Sequence, residues 1–188
     1  MKEQVGVTKS LIWALTSIRF ICIYGGDILK GITIERAVEA DINKVIKILN
    51  DVTADLISKD IYQWEYPWEE KVLKKDIQDG KVFLVLVEGH PVGTFSLEDL
   101  VNEENEFYRT VEGKYLFRVA VLPRIQGLGY GHQVLDEIRL QCSLNKYTLY
   151  LDCWTGNEKL KKFYMKAGLN YLGDYPEKDY SISIFKIS

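Results

Sequence analysis

The run Gln126-Gly127-Leu128-Gly129-Tyr130-Gly131 constrains this chain more than any other stretch, because of what flanks it. Tyr115 to Val121 ahead of it is β-rich, and Leu128, Gly131, Leu135, Ile138 and Cys142 after it share one helical stripe. A helix start leaves backbone N–H groups without internal partners and carries partial positive charge. Glycines remove the side chains that would hold a ligand off the backbone. Strand, glycine turn and helix start together predict a seat for a phosphate or pyrophosphate. A P-loop does not fit, since His132 and Gln133 follow Gly131 where Lys and a hydroxyl are needed. A dinucleotide fingerprint begun at Gly127 meets His132 where its third glycine belongs. What remains is Gln-x-x-Gly-x-Gly, from Gln126 through Gly129 to Gly131. The register Arg124-x-x-Gly127-x-Gly129 starts the glycines one step early for the helix.

The rest of the chain reads as mixed strands and helices. Ile32 to Arg36 alternates like a strand, and Ile42, Val45, Ile46, Leu49, Val52 and Leu56 recur at helical spacing. Pro67 is placed to open a second helix ending near Gly80. Lys81–Glu88 and Val92–Leu100 form a hairpin pattern about Gly89-His90-Pro91, and Asn102 to Gly113 reads as a loop. Tyr147–Asp152 predicts a strand, Asn157–Ala167 a helix capped by Gly168, and Leu169–Tyr175 and Tyr180–Ile187 two closing strands. This is a mixed α/β or α+β sheet covered by helices.

Composition narrows the function classes. The chain has 188 residues, enough for one domain with a full core, and a net charge of −3 leaves no basic footprint for nucleic acid. Cys22, Cys142 and Cys153 are odd in number and lack C-x-x-C spacing, which favours a reducing, cytoplasmic compartment over a disulfide framework. With only His90 and His132, no His/Cys metal site is expected. Residues 1–30 read as an extension ahead of a single domain at 31–188. Its apolar part, Leu11 to Tyr24, is interrupted by Arg19 and too short to span a bilayer. It reads as a tail packed on the domain, as a weak signal-peptide pattern, or as upstream DNA translated in frame, with the natural start near Leu29.

Two blocks together resemble the GNAT family of acyl-CoA-dependent N-acetyltransferases. The first runs from Leu116 to Gly131 and is similar to that family's fourth strand and pyrophosphate loop. The second, Leu149 to Trp154 with Asn157, Leu160, Phe163, Tyr164, Gly168 and Leu169, is similar to its fifth strand and the helix after it. The resemblance covers roughly Ile32 to Ser188. It implies a GNAT-like fold: a mixed, mostly antiparallel sheet of about seven strands with helices on both faces. It also implies transfer of an acetyl group from acetyl-CoA to a primary amine of a small molecule or peptide, directly and without a metal.

The resemblance then assigns residues. Gln126, Gly127, Leu128, Gly129, Tyr130, Gly131 and His132 would face the pyrophosphate, with amides from Ile125 to Gly131 available. Val119, Ala120 and Val121 would offer backbone to the pantetheine arm, which can add to a sheet like a strand. Asn157 reads both as the N-cap of the last long helix and as a holder of that arm. Tyr164, two helical turns on, reads as the acid that protonates the leaving thiolate, or as core beside Phe163. An attacking amine also needs a base. Glu98 at the end of the third strand is the first candidate, with Asp99 beside it, while Asp152 reads as a structural acceptor and Cys153 as core. Gln63, Trp64 and Trp68, in an aromatic segment between the early helices, are expected at the acceptor pocket or as a lid. With Glu65, Glu69, Glu103, Glu104 and Glu106 near in sequence, a cationic amine is expected. Two alternatives are a non-catalytic acyl-CoA sensor and an interaction module. A homodimer through the C-terminal strands is a further expectation.

Overall fold

The computed structural model describes residues 22–24, 27–29, 31–100 and 106–187. Most of the N-terminal extension, and the acids Glu103 and Glu104, lie outside the described residues. Cys22–Tyr24 and Asp27–Leu29 form a small antiparallel ladder.

Seven strands make the main sheet: β1 (Ile32–Arg36), β2 (Val82–Val87), β3 (His90–Asp99), β4 (Lys114–Val121), β5 (Leu149–Trp154), β6 (Asn170–Glu177) and β7 (Tyr180–Ile187). Their spatial order is β1-β2-β3-β4-β5-β7-β6. All neighbours are antiparallel except β4 and β5. Parallel neighbours need a long crossover. The crossover here carries the helix α3 (Tyr130–Asn145), while α1 (Ile42–Ile57), α2 (Glu70–Gln78) and α4 (Glu158–Lys166) are the other α-helices among the described residues.

The strands' period of two sorts side chains to two faces. In β2, Phe83 and Val85 pack with Val134, Leu135 and Ile138 of α3, and Val82, Leu84 and Leu86 pack with Val45, Leu49 and Val52 of α1. Helices therefore cover both faces. Around β5 and β7, the face shared with α1 has a different cover. There Tyr150, Ile182 and Ile184 pack under Phe107, Tyr108 and Val111 from the segment before β4. That segment, expected as plain loop, contains a short 3₁₀ turn at Tyr108–Thr110 with Tyr108 buried.

Pro67 does not open α2. The Tyr66–Pro67 bond is cis, and α2 begins three residues later at Glu70. The intervening Trp68 is tied down instead: its N–H donates to Asn50 Oδ1 at 2.9 Å and its Nε1 to Thr53 Oγ1 at 2.9 Å. Those bonds fasten the α1–α2 connection to the buried side of α1.

Candidate active site

β4 and β5 pair at only two positions, Lys114 with Leu149 and Tyr115 with Tyr150. Beyond Tyr115 the strands part. Between β3 and β4 the register slips: Phe117 pairs with Ser96, but Ala120 already pairs with Thr94. Three residues of β4 thus advance against two of β3, a bulge that bends the strand and leaves a residue unpaired. Arg118 in that bulge has φ of +52°, a conformation uncommon for residues other than glycine. Its guanidinium pairs with Asp76 of α2 and lies 5.2 Å from the Trp68 ring centre.

A cavity of about 580 Å³ opens at this gap. Arg118, Val119, Asp152, Cys153, Leu160 and Tyr164 line it together with Gln63, Trp64 and Trp68. Trp64 meets Trp68 edge to face at 5.8 Å, and both pack on the α1 side of the sheet. Tyr164 comes from the other side, packed with α3 and 5.2 Å from the Phe185 ring. Burial, then the neighbouring Cys153 and Asp152, push the Tyr164 phenol well above the ordinary tyrosine range. Its hydroxyl makes no hydrogen bond to the described residues.

Asp152 shares the parity of Tyr150 on β5, whereas Leu149, Leu151 and Cys153 face α3. Its Oδ2 accepts from Tyr108 Oη at 2.8 Å and from Tyr115 Oη at 2.9 Å. Burial raises the Asp152 carboxyl above the usual range, against the lowering effect of those two phenols. Burial first, then the Asp152 charge, push the Cys153 thiol up to about 12, so it stays protonated at neutral pH.

The glycine turn lies beyond the end of β4. Gly129 caps α3 with φ of +90°, which only glycine adopts cheaply. Not all of its amides are free. Ile125 N–H donates to Leu122, Gln126 N–H to Pro123, Leu128 N–H to Ile125 and His132 N–H to Gly129. The N–H groups of Gly127, Gly129, Tyr130 and Gly131 have no backbone acceptor among the described residues. The Gln126 side chain turns back, its Nε2 donating to the Val121 carbonyl at 2.8 Å. The Tyr130 ring is core and Leu128 is exposed. Gly131 has a packing reason as well, because a Cβ there would sit 3.0 Å from Phe163 of α4. His132 stacks edge-on against that same ring at 4.8 Å.

Asn157 caps α4, its Oδ1 accepting from Leu160 N–H at 3.1 Å. Its Nδ2 donates to Gln63 Oε1 at 3.2 Å, joining the α1–α2 connection to α4. Asn157→Ala should cost about 1 kcal/mol of stability through the lost cap. Asn157→Asp keeps the cap and leaves an oxygen that Gln63 can meet only by turning its amide to donate Nε2, so urea denaturation should show it recovering most of that loss. Equal losses in both variants would assign the effect to Gln63 instead.

Glu98 is not among the cavity's residues. It lies on β3, one strand removed from the gap, and its carboxylate takes Lys81 Nζ at 2.8 Å. Asp99 is likewise paired, with Lys114. Two acids line the cavity: the exposed Asp60, and Asp152 at the gap itself, which spacing had marked only as an acceptor. Glu65 and Glu69 do not line the cavity either. Ala120 is buried beside α1 and Val121 is half-buried, so of that trio Val119 alone reaches the cavity.

A sheet split between two parallel neighbours, with free helix-start amides past the split, defines an acyl-CoA N-acyltransferase fold. The chain belongs to the acetyltransferase (GNAT) family, whose model matches residues 49–169, more than half of its length. Among curated proteins none matches. Solved structures agree on the fold. A GNAT-family acetyltransferase from Streptococcus agalactiae superposes with a TM-score of 0.71 at 16% identity, over 84% of this chain and 95% of that one. One from Listeria monocytogenes gives 0.69 at 20% identity, over 88% and 97%. The Salmonella typhimurium protein yncA, solved with its cofactor acetyl-CoA, gives 0.60 at 15% identity, over 84% and 93%. No helix among the described residues is long and apolar enough to cross a membrane.

Proposed function

We propose that the chain transfers an acetyl group from acetyl-CoA to a primary amine of a small molecule or peptide by direct attack. The observation that carries this reading is the meeting of Tyr164 and Asp152 at one cavity, from opposite faces of the sheet, where β4 leaves β5. The family membership and the acetyl-CoA bound to yncA support the donor.

On this reading the diphosphate of CoA lies on the amides of Gly127, Gly129, Tyr130 and Gly131. The pantetheine arm adds to the unpaired edge of β4 beyond Tyr115. The bulge at Arg118–Val119 interrupts the β3–β4 register, and a backbone amide turned out of the ladder there would suit a developing oxyanion. The thioester then spans the gap. The acceptor enters on the α1 side, between Trp64, Trp68 and Asp152, and CoA leaves on the α3 side past Tyr164. The amine nitrogen bonds to the thioester carbon as its proton passes to Asp152, and the carbon–sulfur bond breaks as Tyr164 protonates the sulfur. Solvent resets both groups. A thiol held protonated, as at Cys153, is a poor nucleophile, which favours direct transfer over a covalent intermediate. A cytoplasmic setting fits the free, buried Cys142 and Cys153.

Mixing acetyl-CoA with a panel of polyamines, amino acids, arylalkylamines and peptide N-termini should release free CoA thiol with at least one class. Calorimetry should register acetyl-CoA binding, and no heat with any CoA thioester would sink the proposal. Gly129→Val forces a β-branched residue into a left-handed conformation, straining the turn by roughly 1–2 kcal/mol, and puts a side chain over the amides. Acetyl-CoA affinity should fall about tenfold or more, tenfold being 1.4 kcal/mol. Wild-type affinity in that variant would move the donor away from this turn.

A further inference from the structure

We propose that Tyr108 and Tyr115 are positioning residues whose phenols hold one oxygen of Asp152 so that its other oxygen faces the incoming amine. The inference rests on reading Asp152 as the base, and adds how that base is made.

Both phenols converge on the same atom, Oδ2, at 2.8 and 2.9 Å. Oδ1 accepts no hydrogen bond from the described residues. A carboxylate has about four acceptor sites over its two oxygens. With both phenols on Oδ2, Oδ1 is left without a donor from the described residues at a carboxylate that lines the cavity. The donors are also locked. Tyr108 is buried, its ring lies 5.4 Å from that of Tyr115, and Tyr115 stacks on Phe117 at 5.5 Å with the planes 6° apart. Tyr108 arrives from the segment before β4 and Tyr115 from β4 itself. The carboxyl of β5 is therefore gripped from its neighbouring strand and from the cover over it.

The electrostatic surroundings agree. Burial and the Glu177 charge disfavour an ionised Asp152, and the two phenols are its hydrogen-bond donors. Cys153, Tyr164 and Tyr180 also feel its charge. Burial raises the Tyr108 and Tyr115 phenols above their ordinary range, so both stay protonated donors. Hydrogen bonds given to an ionised group favour that form.

Tyr108→Phe and Tyr115→Phe keep the rings and remove one donor each. The test follows the carboxyl carbon of Asp152 by NMR against pH in 13C-aspartate-labelled full-length protein, with Asp152→Asn assigning the signal. It is paired with CoA thiol release using benzylamine and spermidine as probe amines. Each variant should move the titration midpoint upward, and the acid limb of kcat/KM should move with it. At pH 7 kcat/KM should fall about tenfold, the loss of one hydrogen bond to a charged group, with acetyl-CoA affinity unchanged. An unmoved midpoint, or a rate loss equal at every pH with the acid limb in its wild-type place, would overturn the proposal. Full turnover by Asp152→Asn would remove the base and the proposal together. Absence of thiol release by the unmodified protein with any amine would instead count against acetyl transfer itself.

Discussion

Asp152→Asn is expected to cut turnover by about 10²–10⁴-fold, the usual weight of a positioned acid or base, while the protein grows more stable relative to wild type as pH rises. The two effects have one cause. Burial raises the Asp152 carboxyl in the folded protein. A carboxyl raised on folding stabilises the fold fully only below its unfolded value. That contribution is lost as pH rises through the folded value, because the charge must then sit where water is scarce. An Asn of the same shape can still accept from Tyr108 and Tyr115 and never ionises. The gap in melting temperature between variant and wild type should therefore widen in the variant's favour between the acid range and pH 8. A thermal-shift series over pH, run beside thiol release, reads both. A variant that melts earlier than wild type at pH 8 would show that Asp152 serves the fold rather than the reaction.

Tyr164→Phe should lower kcat by about 10²-fold and leave the acetyl-CoA dissociation constant unchanged. Burial raises the phenol above the ordinary tyrosine range, so it holds its proton at neutral pH and stands as a donor rather than a base. Its hydroxyl makes no hydrogen bond to the described residues, and the ring contacts with Phe163 and Phe185 survive the substitution. The folded state thus loses no hydrogen-bond partner, and stability should change by less than about 1 kcal/mol. The split distinguishes the chemical role from a packing role. With stability expected to hold either way, turnover separates the roles: a core tyrosine would spare it and an acid would not. Wild-type kcat in this variant would refute the assignment.

The glycine turn was the most legible part of the candidate site. A turn of this kind is made by consecutive residues, so Gln126 to Gly131 shows it in contiguous sequence. Asn157 and Tyr164 are seven residues apart, and helical spacing alone puts both near one side of α4. Gly131 was half-read: its freedom from a side chain matters to Phe163 as well as to a ligand, and an interhelical contact leaves no mark on local pattern. Glu98 was the acid picked first as base, and the structure puts it on β3, outside the cavity that Asp152 lines. Both Glu98 and Asp152 are acids near strand ends, and strand parity says which face each takes but not which strand will lie beside it. Asp152 becomes distinctive only through Tyr115 and Tyr108, 37 and 44 residues away in the chain.

Local chemistry in the chain determined the elements, the glycine turn and the order of strands and helices, because periodicity, caps and left-handed backbone depend on neighbours a few residues apart. Only the tertiary structure decided where β4 and β5 separate, that Asp152 stands in that opening, and that Tyr164 faces it from the opposite side. Those features depend on long-range strand pairing and on how much water each carboxyl loses, and neither is written in any short stretch of sequence.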